Sequence, residues 1–526
     1  MKQHDNRTIV KGALVLTIAG IVSKILSAAY RIPLQNLTGD IGFYIYQQVY
    51  PILGIVTILA LYGFPTAVSS LAARTQLDGK TLTFRQFYFP IFLILFVVSG
   101  GFFTILFYFG HDIAMFIGDE QLATIYQLAS FAFLFIPFMA LLRGVTQGSS
   151  NMKPTAYSQV GEQVVRVTII IIAAVIVSYT GGSPYQIGFA ASIATMAGAT
   201  AASGILLLCF WKQRGNNRRV ENNQIIPWGT YIRTILLFGF VASFTHMILL
   251  LAQVADSLSL LPTLMEFGHS KIEAMTAKGI LDRGQPLIQL GAVLGSSFAM
   301  AFIPSLVTQS TTANQSIKSA LKLSFYLAAG ATIGLCTIFN EVNILLYKDN
   351  EGTFSLQILS LSVLLSALAI TASMILQGIG RILYTASFIF GTFLLKIALN
   401  HLLVPYWGIT GSAVATVLSL LLLCVILFYQ LKRTNIKLAL LQDVKWHAFL
   451  IASFSMVIYL VIFQFLLPNP FDLSRFTLFL EVFFLVGTGG ILYLFILIRL
   501  QAFTDRELAM FPLSSLLSRM AKEEKK

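Results

Sequence analysis

The stretch GEQVVRVTIIIIAAVIVSYT (161–180) sets the reading of the whole chain. From Val167 to Val177 it carries no charge, and it forms the second part of an apolar run over 155–179. As a helix rising about 1.5 Å per residue, that run spans a hydrocarbon core about 30 Å thick. Its two charges, Glu162 and Arg166, stand four apart, the spacing at which helical side chains meet. One stretch therefore supplies both a membrane crossing and an intramembrane ion pair.

Similar runs recur along the 526 residues, over 9–30, 42–70, 87–109, 122–142, 155–179, 185–211, 232–256, 279–307, 318–339, 354–377, 384–404, 410–431, 447–467 and 476–498. This predicts an all-α polytopic membrane protein with fourteen transmembrane helices and short connections. The composition agrees, with 56% hydrophobic and only 11% charged residues, against about 25% charged in soluble chains. Disorder, a secreted disulfide scaffold and a cytosolic enzyme are excluded. Cys209, Cys336 and Cys424 lie inside apolar runs without CxxC spacing, so no metal, redox site or cofactor is expected. No GxxxxGK[ST] loop points to ATP hydrolysis. The first run carries Lys24 and Arg31 and continues into an ordered pattern, unlike a cleavable signal peptide.

The net charge of +13 first suggests nucleic acid, but no soluble basic run is interleaved with aromatics. Loop by loop it reports orientation instead. With the N-terminus inside, and bases within five residues of a span's cytoplasmic end counted with the adjoining segment, cytoplasmic segments hold 26 Lys and Arg, external segments five and the rest of the spans four. The positive-inside bias then predicts fourteen crossings with both termini cytoplasmic. The tail 501–526, with Phe503, Leu508, Phe511, Leu516 and Leu517 among charges, is expected at the membrane surface.

The halves resemble each other. Gln147, Gly148, Thr155, Ala156 and Gly161 recur 230 residues later as Gln377, Gly378, Thr385, Ala386 and Gly391, and Arg166 meets Lys396 in the same register. Gly42, Gln48 and Gly54 match Gly279, Gln285 and Gly291 at an offset of 237. This predicts two pseudo-symmetric six-helix lobes in parallel orientation, 1–212 and 213–433, then two helices in 434–500 and the tail. Transporters place substrate sites at such repeat interfaces.

Charges inside spans cost roughly 2.5–3.5 kcal/mol each and usually face a wet cavity or the bundle interior. Lys24 and Arg31 share a face of helix 1 with Ser27. Lys396 has Thr392, not an acid, four residues before it, so it is expected to offer free charge to a ligand or the other lobe. In LDRGQPLIQLG (281–291), Asp282, Gln285 and Gln289 line one face beside Arg283, and Gly284 and Pro286 interrupt the helix. His246 and Gln253 could face a cavity, while Asp256 is placed near the outer end, in solvent. Glu162, Asp256 and the isolated Glu481 are candidates for ion coupling; Gly63, Pro65, Gly284, Pro286 and Pro304 for kinks or hinges. Cations in helices 1, 5, 8 and 11 favour an anionic ligand, a phosphate or diphosphate. A carrier of cationic drugs would want acids there.

SKILSAAYRIPL (23–34), GFPTAVSSLAAR (63–74) and LDRGQPLIQLG (281–291) resemble signatures of the SpoVB/YtgP/YabM group of polysaccharide-biosynthesis membrane proteins, nearest the YabM type. That group belongs to the MOP superfamily with the MurJ lipid II flippases. The resemblance implies flipping of an undecaprenyl-diphosphate-linked saccharide, such as lipid II, to the outer leaflet through a cation-lined cavity, in sporulation or cell-wall synthesis. It assigns the family's helix 1 cations to Lys24 and Arg31 and its helix 8 cation to Arg283. Helix 2, basic in MurJ-type proteins, offers only Gln47 and Gln48 here. The expected partners are the bilayer and a lipid-linked saccharide, with no nucleic acid, a monomeric state and cell-wall synthases as candidate associates. Two alternatives stand beside this: a MATE-like multidrug/cation antiporter, and a membrane glycosyltransferase or polymerase using the external loop 257–278 with Glu266, His269, Lys271 and Glu273.

Overall fold

The computed structural model describes residues 2–77, 81–213, 227–307, 312–434 and 443–508, and every regular element among them is helical. Bilayers demand this, because a helix satisfies its backbone groups internally where no water reaches. Eleven helical stretches among the described residues are long and apolar enough to cross a membrane. Large apolar side chains lie open on them, such as Leu208 at 65% and Phe483 at 69% exposure, a surface suited to acyl chains rather than water.

The chain forms two compact units. The first comprises Met1–Asp282 and Ile382–His401. It holds α1 (Lys2–Ala29), α2 (Arg31–Ile58), α3 (Phe64–Leu77), α4 (Phe89–Ile117), α5 (Leu122–Ser130), α6 (Ile136–Gly148), α7 (Lys153–Thr180), α8 (Gln186–Gln213), α9 (Trp228–Thr234), α10 (Ile248–Glu266) and α11 (Lys271–Asp282). Here α7 packs on α1, α2 and α8, while α2 also meets α10 and α11. Two π-helical turns, Leu59–Gly63 and Ile235–Val241, approach each other closely. A Cβ on Gly63 would stand 1.9 Å from Ser243 Oγ and 2.7 Å from the Gly239 carbonyl oxygen, so only glycine fits. Pro65 is buried just beyond.

The second unit, Arg283–Arg381 and Leu402–Lys526, holds α12 (Gln285–Val307), α13 (Thr312–Thr337), α14 (Phe339–Tyr347), α15 (Thr353–Ser360) and α16 (Ser362–Gly378). α17 (Ile382–Arg433) starts in the first unit and continues in the second, followed by α18 (Trp446–Leu466) and α19 (Arg475–Arg499). α12, α13 and α16 pack together, and α18 and α19 cover α13. α9–α11 and residues 382–401 fold with the first unit.

Several local expectations are corrected. The loop expected over 257–278 is helical except around 267–270, because the apolar run of α10 continues to Glu266 and Ser270 and Glu273 restart the helix. Ser270 Oγ accepts from the Glu273 amide at 3.3 Å and Glu273 Oε2 accepts from the Ser270 amide at 2.8 Å, a reciprocal cap. That backbone donation holds the exposed Glu273 carboxyl below its ordinary range. Asp282, Gln285 and Gln289 do not share one continuous helix, since α11 ends at Asp282 and α12 begins at Gln285. In the first part of the tail, Ala502, Phe503 and Leu508 are in the apolar core of the second unit, and Glu507 pairs with Lys322 at 2.7 Å, both buried. Phe511, Leu516 and Leu517 lie outside the described residues, as does the side chain of Pro304.

Candidate functional site

The first unit gathers four of the five expected cations, three of them around Tyr30 and the α2 tyrosines Tyr46 and Tyr50. Arg31, fully buried, lays its guanidinium over the Tyr50 ring at 3.9 Å from the centroid, a favourable cation–π contact. Tyr46 lies between Tyr50 and Tyr30, with ring centroids at 5.8 and 5.9 Å, and the Tyr30 and Tyr46 hydroxyls are hydrogen-bonded. Lys24, half-buried on α1, and Arg166 on α7 are both close enough to act electrostatically on Tyr50. Lys24 also acts on His246, which stacks on Tyr62 at 4.5 Å. Helices α1, α2 and α7 thus carry Lys24, Arg31 and Arg166 toward one aromatic surface.

The expected Glu162–Arg166 pair is present, with Arg166 Nη2 donating to Glu162 Oε1 at 2.5 Å and to Thr57 Oγ1 at 3.3 Å. It is one half of a larger group. Arg143 on α6, fully buried, donates to the other Glu162 oxygen at 2.9 Å, to Ser158 Oγ at 3.1 Å and to the Ala60 carbonyl at 3.0 Å. Two guanidinium groups share one carboxylate, so the trio keeps one positive charge. The apolar run over 122–142 stops one residue before Arg143. In fact α6 continues to Gly148, where Gly144 and Gly148 let it pack against α3.

Lys396 does not offer a free charge. Its Nζ donates to Asp256 Oδ2 at 2.5 Å and to the Ala252 carbonyl at 2.8 Å, and each side chain is 1% exposed. Asp256, expected in solvent, is held inside by Asn400, whose Nδ2 donates to Asp256 Oδ1 at 3.0 Å and to Ser259 Oγ at 2.8 Å. The reason is the length of α10: with the helix running on to Glu266, Asp256 sits mid-helix rather than at its mouth. Lys278, assigned to an external segment, is also buried and pairs with Asp282 at 2.7 Å.

In the second unit, Arg283 is buried and forks onto Asp349, Nη1 to Oδ1 at 2.5 Å and Nη2 to Oδ2 at 3.1 Å. Tyr347 donates its hydroxyl to the Arg283 carbonyl at 2.7 Å and sits under the guanidinium. Gln285 is buried and Gln289 half-buried on α12. Gly284 sits at the turn before it, where a Cβ would press on Leu356 and Leu359 at 3.1 Å, and Pro286 opens the new helix. Glu481 on α19 is half-buried, with Glu341 close enough to act on it electrostatically.

This arrangement of all-helical units and buried cations can be set beside known proteins. A model of the family described as "polysaccharide biosynthesis protein" matches residues 9–310. The membrane protein YabM of Bacillus subtilis (strain 168) is 36% identical over 97% of this chain and 96% of its own. The chain belongs to this polysaccharide biosynthesis family. Within and around the family, the lipid II flippase MurJ of Bacillus subtilis is 24% identical over 81% of this chain and 82% of its own. A solved lipid II flippase MurJ in an inward closed conformation has the same fold, with a TM-score of 0.67 at 14% identity, covering 93% of this chain and 99% of that one.

For this family member, sequence reasoning passed over Arg143, Lys278, Asp349 and Asn400. Arg143 and Lys278 were legible as bases at the ends of apolar runs, where a short extension of the helix buries them. Asp349 and Asn400 gave no local signal, since each meets its partner only across helices. Two of the four residues behind the glycosyltransferase alternative have structural roles: Lys271 pairs with the buried Asp119 at 2.8 Å, which also accepts from Tyr185, and Glu273 caps α11.

Proposed function

We propose that this protein is a flippase carrying an undecaprenyl-diphosphate-linked saccharide, lipid II or a related cell-wall or polysaccharide precursor, from the inner to the outer leaflet by alternating access. The observation that carries the reading is the gathering of cations in the first unit. Lys24, Arg31, Arg143 and Arg166 bring four positive charges to α1, α2, α6 and α7, and the acid Glu162 is already shared by two of them. A group with several negative oxygens, such as a diphosphate, matches a surplus of guanidinium and ammonium donors. The likeness to a protein named lipid II flippase supports the same class of ligand. The Tyr30, Tyr46 and Tyr50 hydroxyls would add neutral donors for phosphate oxygens.

The topology belongs to the same proposal. The stretch Ile18–Leu77 is 60 residues long and Ile382–Arg433 is 52, each enough for two crossings of about 20 residues. Each holds one glycine at positive φ, Gly39 at 68° and Gly408 at 54°, where the helix is interrupted. With α12 as a further crossing, this supports fourteen spans, and the Lys/Arg bias supports cytoplasmic ends in a bacterial cell membrane. The π-turns beside Gly63 and Pro65 and the break at Gly284 and Pro286 are the proposed bending points, with Pro304 beyond them. Glu162, Asp256 and Glu481 are the candidates for ion coupling, and Gln285, Gln289, Arg283 and Lys396 the further candidates for ligand contact. A transporter of this design needs no catalytic residue or cofactor.

The test is complementation. In cells depleted of their other lipid II flippases, the wild-type chain should restore growth and outward lipid II movement. Arg31→Ala and Lys24→Ala, inserted at normal levels, should not. Full activity of both variants would remove the cation cluster from the mechanism.

A further inference from the structure

The Lys396 site is built from four buried side chains. Lys396 occupies one Asp256 oxygen, and the Asn400 amide Nδ2 occupies the other while also reaching Ser259. The Oδ1 of Asn400, fully buried, has no hydrogen-bond partner among the described residues. Neither amide atom of Gln253, one turn before Asp256 on α10 and buried, has one either. The charged groups facing the pair are Lys278 and Asp282 of α11. The Tyr44 ring of α2 lies under the Lys278 ammonium at 5.6 Å. Two ammonium groups and two carboxylates leave this cluster neutral.

Neutrality limits what can follow. A buried charge stripped of its partner is far costlier than the pair, and a carboxylate escapes that cost by taking a proton. An anion that draws Lys396 away must therefore leave Asp256 as a neutral acid. The Asn400 side chain is suited to receive it. A carboxylic acid and a primary amide form two hydrogen bonds at once, O–H to the amide oxygen and amide N–H to the carboxyl oxygen. Asp256 already accepts the second from Nδ2. The acceptor needed for the first, Asn400 Oδ1, is the buried atom that lacks a donor.

We propose that Asp256 is a proton-binding site, a carboxylate held by Lys396 in one state and a carboxylic acid held by Asn400 in the other, and that phosphate oxygens of the carried lipid exchange with the carboxylate for Lys396. In the exchange one proton from solvent forms an O–H bond on Asp256, Lys396 stays an ammonium, and no other covalent bond changes. Each ligand engaging Lys396 thus takes up one proton, and its release returns it, which links transport to a proton gradient. The identity of the anion rests on the flippase reading; the proton site does not.

The test uses infrared difference spectroscopy of the purified full-length protein in detergent. Acidifying the ligand-free wild type should produce a protonated-carboxyl C=O band that is missing from Asp256→Asn. Lys396→Met should show that band at neutral pH without ligand. Asn400→Leu, which removes the amide, should move its frequency because the acid loses its acceptor. Adding undecaprenyl diphosphate at neutral pH should raise the same band in the wild type, with uptake of about one proton per bound lipid in weakly buffered solution and none in Asp256→Asn. If acidification gives the same difference spectrum in wild type and Asp256→Asn, the proton site is refuted. If the lipid binds without the band or proton uptake, the exchange at Lys396 is refuted while the flippase reading stands. If undecaprenyl diphosphate does not bind at all, the flippase reading falls, and the acid-induced band still supports the proton site.

Discussion

Positions 166 and 396 occupy the same register of the internal repeat, yet their charges are balanced in opposite ways. Arg166 meets an acid on its own helix, and that acid is divided with Arg143, which leaves a positive remainder. Lys396 has no acid on its own helix within reach, and takes Asp256 from α10 in a one-to-one pair. The counterparts 230 residues on explain the divergence: Glu162 becomes Thr392 and Arg143 becomes Ser373. A repeat can thus keep a cation while changing what the cation does. Under the proposed function, 166 supplies surplus charge for a ligand, whereas 396 stays locked until something displaces its partner.

The largest effect should come from Glu162→Gln, which leaves two buried guanidinium groups without a counter-charge. Breaking a buried pair this way costs about 3–5 kcal/mol, and an arginine cannot shed its proton to relieve it. Thermal unfolding in detergent should show a large drop in Tm for this variant. Asp256→Asn should cost less, about 2 kcal/mol, because Lys396 keeps the Ala252 carbonyl and a lysine can lose its proton. Equal losses at the two sites would break the comparison. Arg143→Ser copies the second repeat into the first. It should cost about 1.5–3 kcal/mol in lost charged hydrogen bonds and weaken binding of undecaprenyl diphosphate by removing the surplus charge, with Arg166 still paired to Glu162.

Much of the fold was legible because a bilayer permits so little else: apolar runs of about 20 residues must be helices. The Glu162–Arg166 pair was legible because it is local, four residues apart on one helix. The Asp256–Lys396 and Arg283–Asp349 pairs were not, since 140 and 66 residues separate the partners and no spacing rule relates them. Asp256 defeats such a reading for a simpler reason: the apolar run ends there while α10 runs ten residues further, so a helix cut at the end of its run is too short. The same shortening put Arg143 and Lys278 into loops.

Smaller effects probe the surface of the account. Glu273→Gln removes one arm of the α11 cap and should leave lipid binding unchanged. Its carboxyl is held below the ordinary value by the Ser270 amide, so its stabilising effect is present above the unfolded pKa, about 4.3, and is lost as pH falls through the folded value. A plot of Tm against pH should therefore fall less steeply at acid pH in Glu273→Gln than in the wild type.

The most direct test of the central claim measures movement itself. Proteoliposomes holding the purified chain and fluorescent lipid II should flip the lipid between leaflets, and the rate should fall at least tenfold in Arg31→Ala and in Arg166→Ala. Wild-type rates in both variants, or transport of an organic cation in place of lipid II, would contradict the assignment of the surplus charge to a diphosphate.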